Sequence, residues 1–444
     1  MNPREKPALD SKHVEEKTRS LADLHPGDIA DVLEHMDAEE VRQVFDLLDA
    51  ETASAVLLEL EDQAKQELVE KLSEKRLAEV VKEMESDDAT DLIAELPTEL
   101  ARDVLEKISP EDKEEVEELL RYGEETAGGL MQSEYVAVET CLTAAGAIEK
   151  LRQNADYVQH VHNVFAVTSN GHYAGTIHLY ELVTADPDAP IESLVDKDVP
   201  TVNVNLDQEE VAKLFKRYDL ISLPVVEGDS KLVGRIVVDD IVDVIDEEAS
   251  EDIYRMVGLD EDEKVFEPAF ASVRKRIPWL LLKLAAVSCA SAVVLAHKKT
   301  IEGFPVLAAF LPIVGGMGGD AGTQTFTMII RNLALGTVNL SDTRRMLLKQ
   351  LLVAMQLGVL VAVVAGGAVF ALGTVLGRDS RLGAVLAAAL MLNFLIAAAA
   401  GTLVPLMLTK LKVDPAVASG LFVTFLTDLL GFVFVLGLAS AMMN

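Results

Sequence analysis

Residues 304–332 read FPVLAAFLPIVGGMGGDAGTQTFTMIIRN, an apolar stretch that has glycine at five of the eight positions from Gly315 to Gly322. The stretch exceeds the roughly 20 residues that a helix needs to cross a bilayer. The glycines predict a break in this span that frees backbone carbonyls, which a membrane tolerates only against protein or a water-filled cavity. Because Asp320 lies among the glycines, we expect a membrane protein with a polar path.

Similar apolar stretches surround this one, so that the C-terminal part of the chain has five predicted spans. If the N-terminus is cytoplasmic, eight basic residues flank the cytoplasmic span ends and four flank the external ends. Because basic residues accumulate on the cytoplasmic side, we expect a multi-pass cell-membrane protein with a cytoplasmic N-terminus and an external C-terminus. The predicted spans are 277–296, 304–332, 346–376, 382–409 and 417–442.

The charge of the 444-residue chain, −34 in total, is divided unevenly. The first 270 residues hold 25 basic and 67 acidic residues, whereas the rest holds 14 basic and six acidic ones. An acidic cytoplasmic part would repel phosphates, so nucleic acid is not an expected partner. The two cysteines predict neither a disulfide framework nor a Cys-rich metal site. The charged residues 1–20 predict a disordered segment without a secretory signal.

Residues 21–120 repeat with a step of 12. Apolar residues recur at this step from Val32 to Val116 and, in a second series, from Leu24 to Ile108. The pattern predicts short helices of about two turns that stack as a solenoid. Residues that would cap or stop such helices stand at the step boundaries, namely Asp37, Asp49, Ser73, Pro97 and Ser109.

Residues 130–246 contain a strand-and-helix pattern twice, at an offset of 59; for example, 164–167 matches 223–226. Each copy reads as one β-α-β-β-α unit. The pair resembles tandem CBS domains, which implies a pseudo-twofold arrangement. The resemblance also implies that Asp240 occupies the position that commonly holds the ribose of an adenine nucleotide. ATP is therefore a candidate cofactor, and a purely structural hinge module is the alternative.

Carboxylates within the predicted spans indicate an ion path. Asp428 lies near the middle of the last span, where a charge costs about 2.5–3.5 kcal/mol and should face a partner or water. Carboxylates and exposed carbonyls form a hard-oxygen environment suited to Mg²⁺. The alternatives are glycine-mediated helix packing and a proton-relay or ion-paired Asp428, with Arg331 as its partner. The candidate pore ligands are Asp428, Asp320, Gly318, Gly319 and Gln324. Other polar span residues, such as Asn393, are expected to form hydrogen bonds between helices.

The link from 243 to 270 reads as an acidic helix that leads directly into the membrane, which favours a coupling role over that of a solvated helix. Carboxylates of different domains repel one another until divalent cations bridge them, so Mg²⁺ would favour a compact arrangement. The candidate bridging residues are Asp239, Asp243, Asp246, Glu247, Glu248, Glu251 and Asp252, with Glu59, Asp91 and Glu95 as partners in the helical repeat.

Together these features resemble the MgtE family of bacterial magnesium channels. The resemblance covers residues 20–444 and is most specific at 312–324, 330–336 and 413–431. It implies a homodimer in the lipid bilayer, with Asp428 as the ion-selecting residue on the pore axis. It also implies a plug helix that contacts the pore, near Asp414, when cytoplasmic Mg²⁺ is bound. The family commonly has Asn where this chain has Asp320.

The expected function is Mg²⁺ uptake under negative feedback by cytoplasmic Mg²⁺. Two alternatives stay open: a proton-coupled exporter of divalent cations such as Mg²⁺, Co²⁺ or Mn²⁺, and a membrane-anchored nucleotide sensor. An enzyme is not expected, because the sequence has no Ser/His/Asp set, phosphate-cradling loop or HExxH pattern. The expected multi-domain architecture is a disordered segment 1–20, an all-α solenoid domain 21–129, an α/β tandem CBS domain 130–243, a plug helix 244–270 and an α-helical pore domain 271–444 with five spans.

Overall fold

A computed structural model describes residues 21, 24–155, 158, 161–260, 263, 265, 267–375, 379–416 and 419–443. By its internal contacts the chain divides into two compact units, Met1–Ile245 and Asp246–Asn444. The predicted disordered segment 1–20 lies outside the described residues.

In its described part the first unit begins with eight short helices that start at a constant interval of 12 residues. Each has eight to ten residues, as the repeat in the sequence predicts. The helices are α1 (Pro26–Glu34), α2 (Ala38–Phe45), α3 (Ala50–Glu59), α4 (Asp62–Val69), α5 (Glu74–Val81), α6 (Ser86–Glu95), α7 (Thr98–Leu105) and α8 (Pro110–Leu119).

Capping side chains fix where several of these helices begin. The carboxylates of Asp37 and Asp49 and the hydroxyls of Ser73 and Ser109 each accept a hydrogen bond from the backbone N–H three residues on. Such bonds satisfy donors that the first helical turn leaves unpaired. These four caps confirm the prediction, whereas Pro97 precedes α7 without a side-chain cap.

Alternate helices of the repeat pack against each other in five pairs, namely α1 with α3, α2 with α4, α3 with α5, α5 with α7 and α6 with α8. One apolar core runs from Leu21 to Val116 and includes the fully buried Phe45 and Leu77. A 12-residue step therefore returns each apolar face to the same side, and burial of that face stabilises helices too short to persist alone.

Two three-stranded sheets follow, and their shared topology confirms the sequence repeat. In each, the first strand pairs parallel to the second, which pairs antiparallel to the third. The first copy comprises β1 (Ala137–Glu139), α9 (Ala144–Gln153), β2 (Asn163–Val167), β3 (Tyr173–His178) and α10 (Leu179–Thr184). The second comprises β4 (Val202–Asn203), α11 (Gln208–Tyr218), β5 (Ser222–Glu227), β6 (Lys231–Val237) and α12 (Val238–Val257).

Equivalent residues of the two copies meet each other, as expected of a pseudo-twofold pair. The amide Nδ2 of Asn163 donates to Ser222 Oγ at 2.8 Å, and these residues are 59 positions apart. His172 and Lys231, at the same offset, form a β-bridge. The copies differ at their last helix, because α10 ends at Thr184 whereas α12 continues to Val257.

The second unit contains five long helices among its described residues. Four of them are long and apolar enough to cross a membrane, namely 269–296, 340–375, 381–410 and 420–442. The remaining long helix, at 307–334, is not among these four, and it carries the glycines, Asp320 and Gln324. The helices are α13 (Ala269–Ala296), α14 (Lys298–Gly303), which is short, α15 (Leu307–Ala334), α16 (Thr343–Val375), α17 (Arg381–Lys410) and α18 (Ser419–Met443).

The predicted break at the glycines is wrong, because α15 is one continuous helix from Leu307 to Ala334. Its glycines serve close packing instead. A Cβ on Gly322 would lie 2.4 Å from Val423 Cγ1, and one on Gly401 would lie 2.7 Å from the Gly322 carbonyl oxygen. Apart from Pro312, which has no backbone N–H, the residues of α15 can form continuous intrahelical hydrogen bonds, so the helix leaves few backbone groups unpaired and approaches α17 and α18 closely.

Candidate functional site

Asp428 lies on α18 and is half-buried against α15. A Cβ on Gly315 would lie 2.7 Å from Asp428 Oδ1, so the carboxylate packs directly on the α15 backbone. The neighbouring hydroxyls of Thr424 and Thr427 donate to backbone carbonyls of their own helix. The glycine at position 315 therefore makes room for a carboxylate inside an apolar bundle.

The other candidate pore residues lie on two faces of α15. Asp320 and Gln324 are exposed at positions four apart, together with Gly316 one turn before them. Gly318 is buried on the face that packs on other helices, and Gly319 lies between the two faces. The exposed side of α15 thus carries Asp320 and Gln324 beside the apolar Ile313 and Met328, whereas its buried side carries small and apolar residues.

A cavity of 510 Å³ contains Asp428 in its wall. Thr323 and Thr424 also line this cavity, as do Lys283 and Trp279 of α13. The Lys283 ammonium interacts electrostatically with the Asp428 carboxylate. The ion pair with Arg331 that the sequence offered as an alternative is not formed between these described residues, and Lys283 is the charged neighbour instead.

A guanidinium joins two of the candidate regulatory carboxylates within the second unit. Arg255, in the last turn of α12, donates to Asp414 Oδ2 at 2.7 Å and pairs with Glu251. The three side chains are largely buried: the exposed fractions are 27% for Arg255, 32% for Asp414 and 18% for Glu251. Met256 packs on Ala416 and Val423 beside them. The end of α12 is therefore attached to the segment that begins α18.

The remaining acidic residues predicted on α12 are spread around the helix. Asp243, Asp246 and Glu247 are exposed, whereas Glu248 and Asp252 are half-buried. Glu247 and Glu248, four and three positions before Glu251, lie on its side of the helix, whereas Asp246 does not.

A cluster of carboxylates lies in the first unit, where the start of α6 meets the start of α12. Burial, with the charges of Asp239 and Asp88, raises the pKa of Asp240 to about 8. Burial also raises the pKa of Asp88 to about 6, and it holds the pKa of Asp87 well above its ordinary value beside Asp240. Asp240 Oδ2 is buried and has no hydrogen-bond partner among the described residues. The cluster therefore brings carboxyl groups together with few hydrogen-bond donors, which favours their protonated forms.

Hydrogen bonds hold α6 beside the segment that precedes the first sheet. Ser86 donates through its backbone N–H and its hydroxyl to the Glu134 carboxylate, at 3.0 and 2.6 Å. The Gln132 amide donates to Glu85 Oε2 at 2.7 Å. These bonds, between residues nearly 50 positions apart, fix the acidic start of α6 relative to the tandem domain.

Of the predicted partners in the helical repeat, Asp91 belongs to this cluster, because it interacts electrostatically with Asp88 on the same helix. Glu59 is exposed at the end of α3, and Glu95 pairs with Lys65 at 3.5 Å. Sequence reasoning missed Asp87, Asp88 and Glu134; the acidic run at 87–91 was the available signal. Within the described residues no group of three or more His, Cys, Asp or Glu side chains is arranged to hold a metal ion.

The raised pKa values predict that the first unit loses stability as pH rises. Between pH about 4 and about 8 the folded state binds more protons than the unfolded state, so the free energy of unfolding falls over this range, by on the order of a few kcal/mol. Denaturation midpoints of the full chain in detergent with a chelator, at pH 5 and pH 8, measure this. We expect Asp240→Asn to flatten the dependence and Asp198→Asn, at an exposed position, to leave it unchanged; equal slopes would contradict the assignment.

Comparison with known proteins identifies the family. A family model described as a divalent cation transporter, MgtE, matches residues 311–438, a model of the MgtE intracellular N domain matches 24–125, and one of the CBS domain matches 191–247. The magnesium transporter MgtE of Enterococcus faecalis is 33% identical over 334 residues, which cover 75% of this chain and 73% of that protein. The chain belongs to the MgtE family.

Other MgtE proteins show similar agreement. The magnesium transporter MgtE of Thermus thermophilus is 34% identical over 337 residues, 76% of this chain and 74% of that protein. A crystal structure of the cytosolic domain of the Mg²⁺ channel MgtE in complex with ATP matches with a TM-score of 0.50 and 32% identity, over 52% of this chain and 97% of that chain. The family resemblance seen in the sequence is thereby confirmed.

Proposed function

We propose that the chain is a Mg²⁺-selective channel or transporter that takes up Mg²⁺ across the cell membrane. The observation that carries the proposal is Asp428, half-buried against Gly315 in an apolar helix bundle and open to a cavity. A charge at such a position is costly unless a cation or water compensates it. Hard oxygen ligands suit Mg²⁺, and the relatives named magnesium transporter support this ion as the cargo.

The exposed polar face of α15 supports a pore between two copies of the chain. Asp320 and Gln324 lie on the outside of a single subunit, where lipid would leave them unsatisfied. Helix α13 has one buried residue, Ala290, among its described residues, so most of its apolar surface is available to lipid or a second subunit. A homodimer would place two copies of Asp428 and of Asp320 along one aqueous path. In this arrangement α15 is the fifth span.

We place the N-terminus in the cytoplasm and the C-terminus outside, as the basic flanks of the spans indicate. The cytoplasmic part would then comprise a helical solenoid at 21–129, the tandem CBS domain at 130–243 and a plug helix at 244–270. The stacking of alternate helices in the first unit supports the solenoid.

A regulatory cation is proposed at the carboxylate cluster of the first unit, although the described side chains are not arranged around an ion. Asp87, Asp88, Asp91, Asp239 and Asp240 supply oxygen ligands only, and the Asp240 oxygen that lacks a hydrogen-bond partner among the described residues is available to an ion. When bound, Mg²⁺ would neutralise these charges and join the helical repeat to the start of α12. Without it, the carboxylates repel one another. Cytoplasmic Mg²⁺ would thus favour one arrangement of the domains and close its own entry path.

The end of α12 is proposed as the plug that responds to this change. Its contact with the pore domain is held by Arg255 between Glu251 and Asp414 and by the packing of Met256. Arg255 is a cation fixed to the chain, so it joins these two carboxylates without a free ion. The acids Asp243, Asp246, Glu247, Glu248 and Asp252 are then candidates for additional Mg²⁺.

Replacing Arg255 by Gln should weaken this contact. Two partly buried carboxylates would face each other without a counter-charge, so a several-fold higher Mg²⁺ concentration is expected for half-maximal protection against chymotrypsin. Arg217→Gln, which makes the same charge change on α11, should leave that concentration unchanged. The same midpoint in both variants would argue against a role of Arg255 in closure.

ATP is proposed as a second regulator at the tandem CBS domain, since a related cytosolic domain was solved with ATP. Asp240, in the first turn of α12 and three residues after the end of β6, is the candidate ribose ligand. Because Asp240 also belongs to the carboxylate cluster, the binding of nucleotide and the binding of the regulatory cation would be coupled there.

Uptake of Mg²⁺ by liposomes that contain the purified protein tests the function, with Co²⁺ and Mn²⁺ as competitors. Uptake that requires a proton gradient would favour a proton-coupled transporter instead. ATP binding without any Mg²⁺ flux would favour a nucleotide sensor.

A further inference from the structure

Asn393 lies in the middle of α17 and is fully buried in the helix bundle. Its amide Nδ2 donates to the backbone carbonyl of Val314, on α15, at 2.8 Å. The expectation that this residue bonds between helices is therefore confirmed. Because Val314 precedes Gly315, Asn393 holds the segment of α15 on which Asp428 packs.

Two glycines make room for this side chain. A Cβ on Gly318 would lie 2.0 Å from Asn393 Nδ2, and one on Gly431 would lie 2.9 Å from the same atom. Gly431 is three residues after Asp428, almost one turn along α18. Asn393 is thus in contact with both helices that form the Asp428 site, at the level of that carboxylate.

The amide is costly to bury. Asn393 Oδ1 is buried and has no hydrogen-bond partner within the described residues. A buried acceptor without a hydrogen bond destabilises the folded protein, and an apolar side chain would avoid that cost. Stability alone therefore does not account for an asparagine at this position.

We propose that Asn393 is a positioning residue that sets the distance between α15 and α18 at Asp428, and thereby the affinity and selectivity for the transported divalent cation. The inference rests on the proposed function, with Asp428 as the ion-binding group. Asn393 does not touch the ion; it fixes the backbone against which the carboxylate rests. Binding groups need placement to within about 0.5 Å, so small shifts of α15 change the site.

Asn393→Ala, compared with Thr402→Ala, tests the proposal. Thr402 is equally buried on the same helix, but its hydroxyl donates to Ala398 of that helix, at 2.7 Å. Mg²⁺ flux into proteoliposomes is measured against Mg²⁺ concentration, with Ca²⁺ as competitor. We expect Asn393→Ala to raise the half-saturating Mg²⁺ concentration about tenfold and to narrow discrimination against Ca²⁺. Thr402→Ala should differ from the wild type in maximal flux only, so its half-saturating Mg²⁺ concentration and its selectivity should be unchanged.

A merely structural role would reduce the amount of folded protein, and with it the maximal flux, while half-saturation and selectivity stayed at wild-type values. That result would overturn the proposal. Asn393→Ser provides a second variant if the alanine form does not fold, because the serine side chain is too short to reach the Val314 carbonyl. The same rise in the half-saturating Mg²⁺ concentration is expected for it. Wild-type flux in Asp428→Asn would defeat the proposed function itself, whatever the result at Asn393.

Discussion

Replacing Asp428 by Asn is expected to abolish Mg²⁺ flux. The carboxylate is half-buried, and an amide of the same shape supplies no charge to compensate a divalent cation that enters an apolar bundle. Removing one partner of a buried ion pair costs about 3–5 kcal/mol. Since about 1.4 kcal/mol is a tenfold change, the loss should exceed a hundredfold. Flux is measured with a Mg²⁺-sensitive dye inside proteoliposomes.

Asp320→Asn is the matched control, because it makes the same chemical change on α15. Asp320 is exposed in one subunit, and the family resemblance places Asn at this position, so flux should persist. Melting temperatures in detergent verify that both variants are folded. Wild-type flux in folded Asp428→Asn would refute the pore assignment. If Asp320→Asn lost flux and Asp428→Asn did not, the essential charge would be the one on α15.

Local patterns determined what the sequence could predict. The helix starts of the first unit follow from the step of 12 and from caps such as Asp37, because capping depends on residues three positions apart. The tandem sheets follow from the repeat at an offset of 59, which brings Asn163 to Ser222. The apolar span around Asp428 is enough to predict that its carboxylate lies within the membrane.

Long-range contacts account for what the sequence could not predict. The cluster of Asp87, Asp88 and Asp240 joins residues about 150 positions apart, and no local pattern reports that proximity. A run of glycines such as that of α15 is compatible either with a break in the helix or with a close contact between helices. The choice depends on Asn393, 79 residues from the carbonyl that it binds. The sequence alone cannot place that amide beside Gly318.

Gly318→Ala is expected to disrupt the bundle, whereas Gly316→Ala two residues away should be tolerated. A Cβ at 318 would lie 2.0 Å from Asn393 Nδ2 and 2.8 Å from its Cγ, while one at 316 meets nothing within 4 Å. The added methyl would force Asn393 away from Val314. Overpacking of this kind costs about 1–3 kcal/mol, and loss of the buried hydrogen bond adds to it.

The comparison isolates close packing from helix propensity, because both changes are Gly to Ala in the same continuous helix and both favour that helix. We expect Gly318→Ala to lower the melting temperature in detergent and to reduce the Mg²⁺ flux at least about tenfold. Gly316→Ala should match the wild type in both. If the two variants behave alike, α15 and α17 are not held at the distance seen here. If Gly316→Ala alone loses flux, the exposed face of α15 lies against a second subunit too closely for a methyl group, which would itself locate the proposed dimer axis.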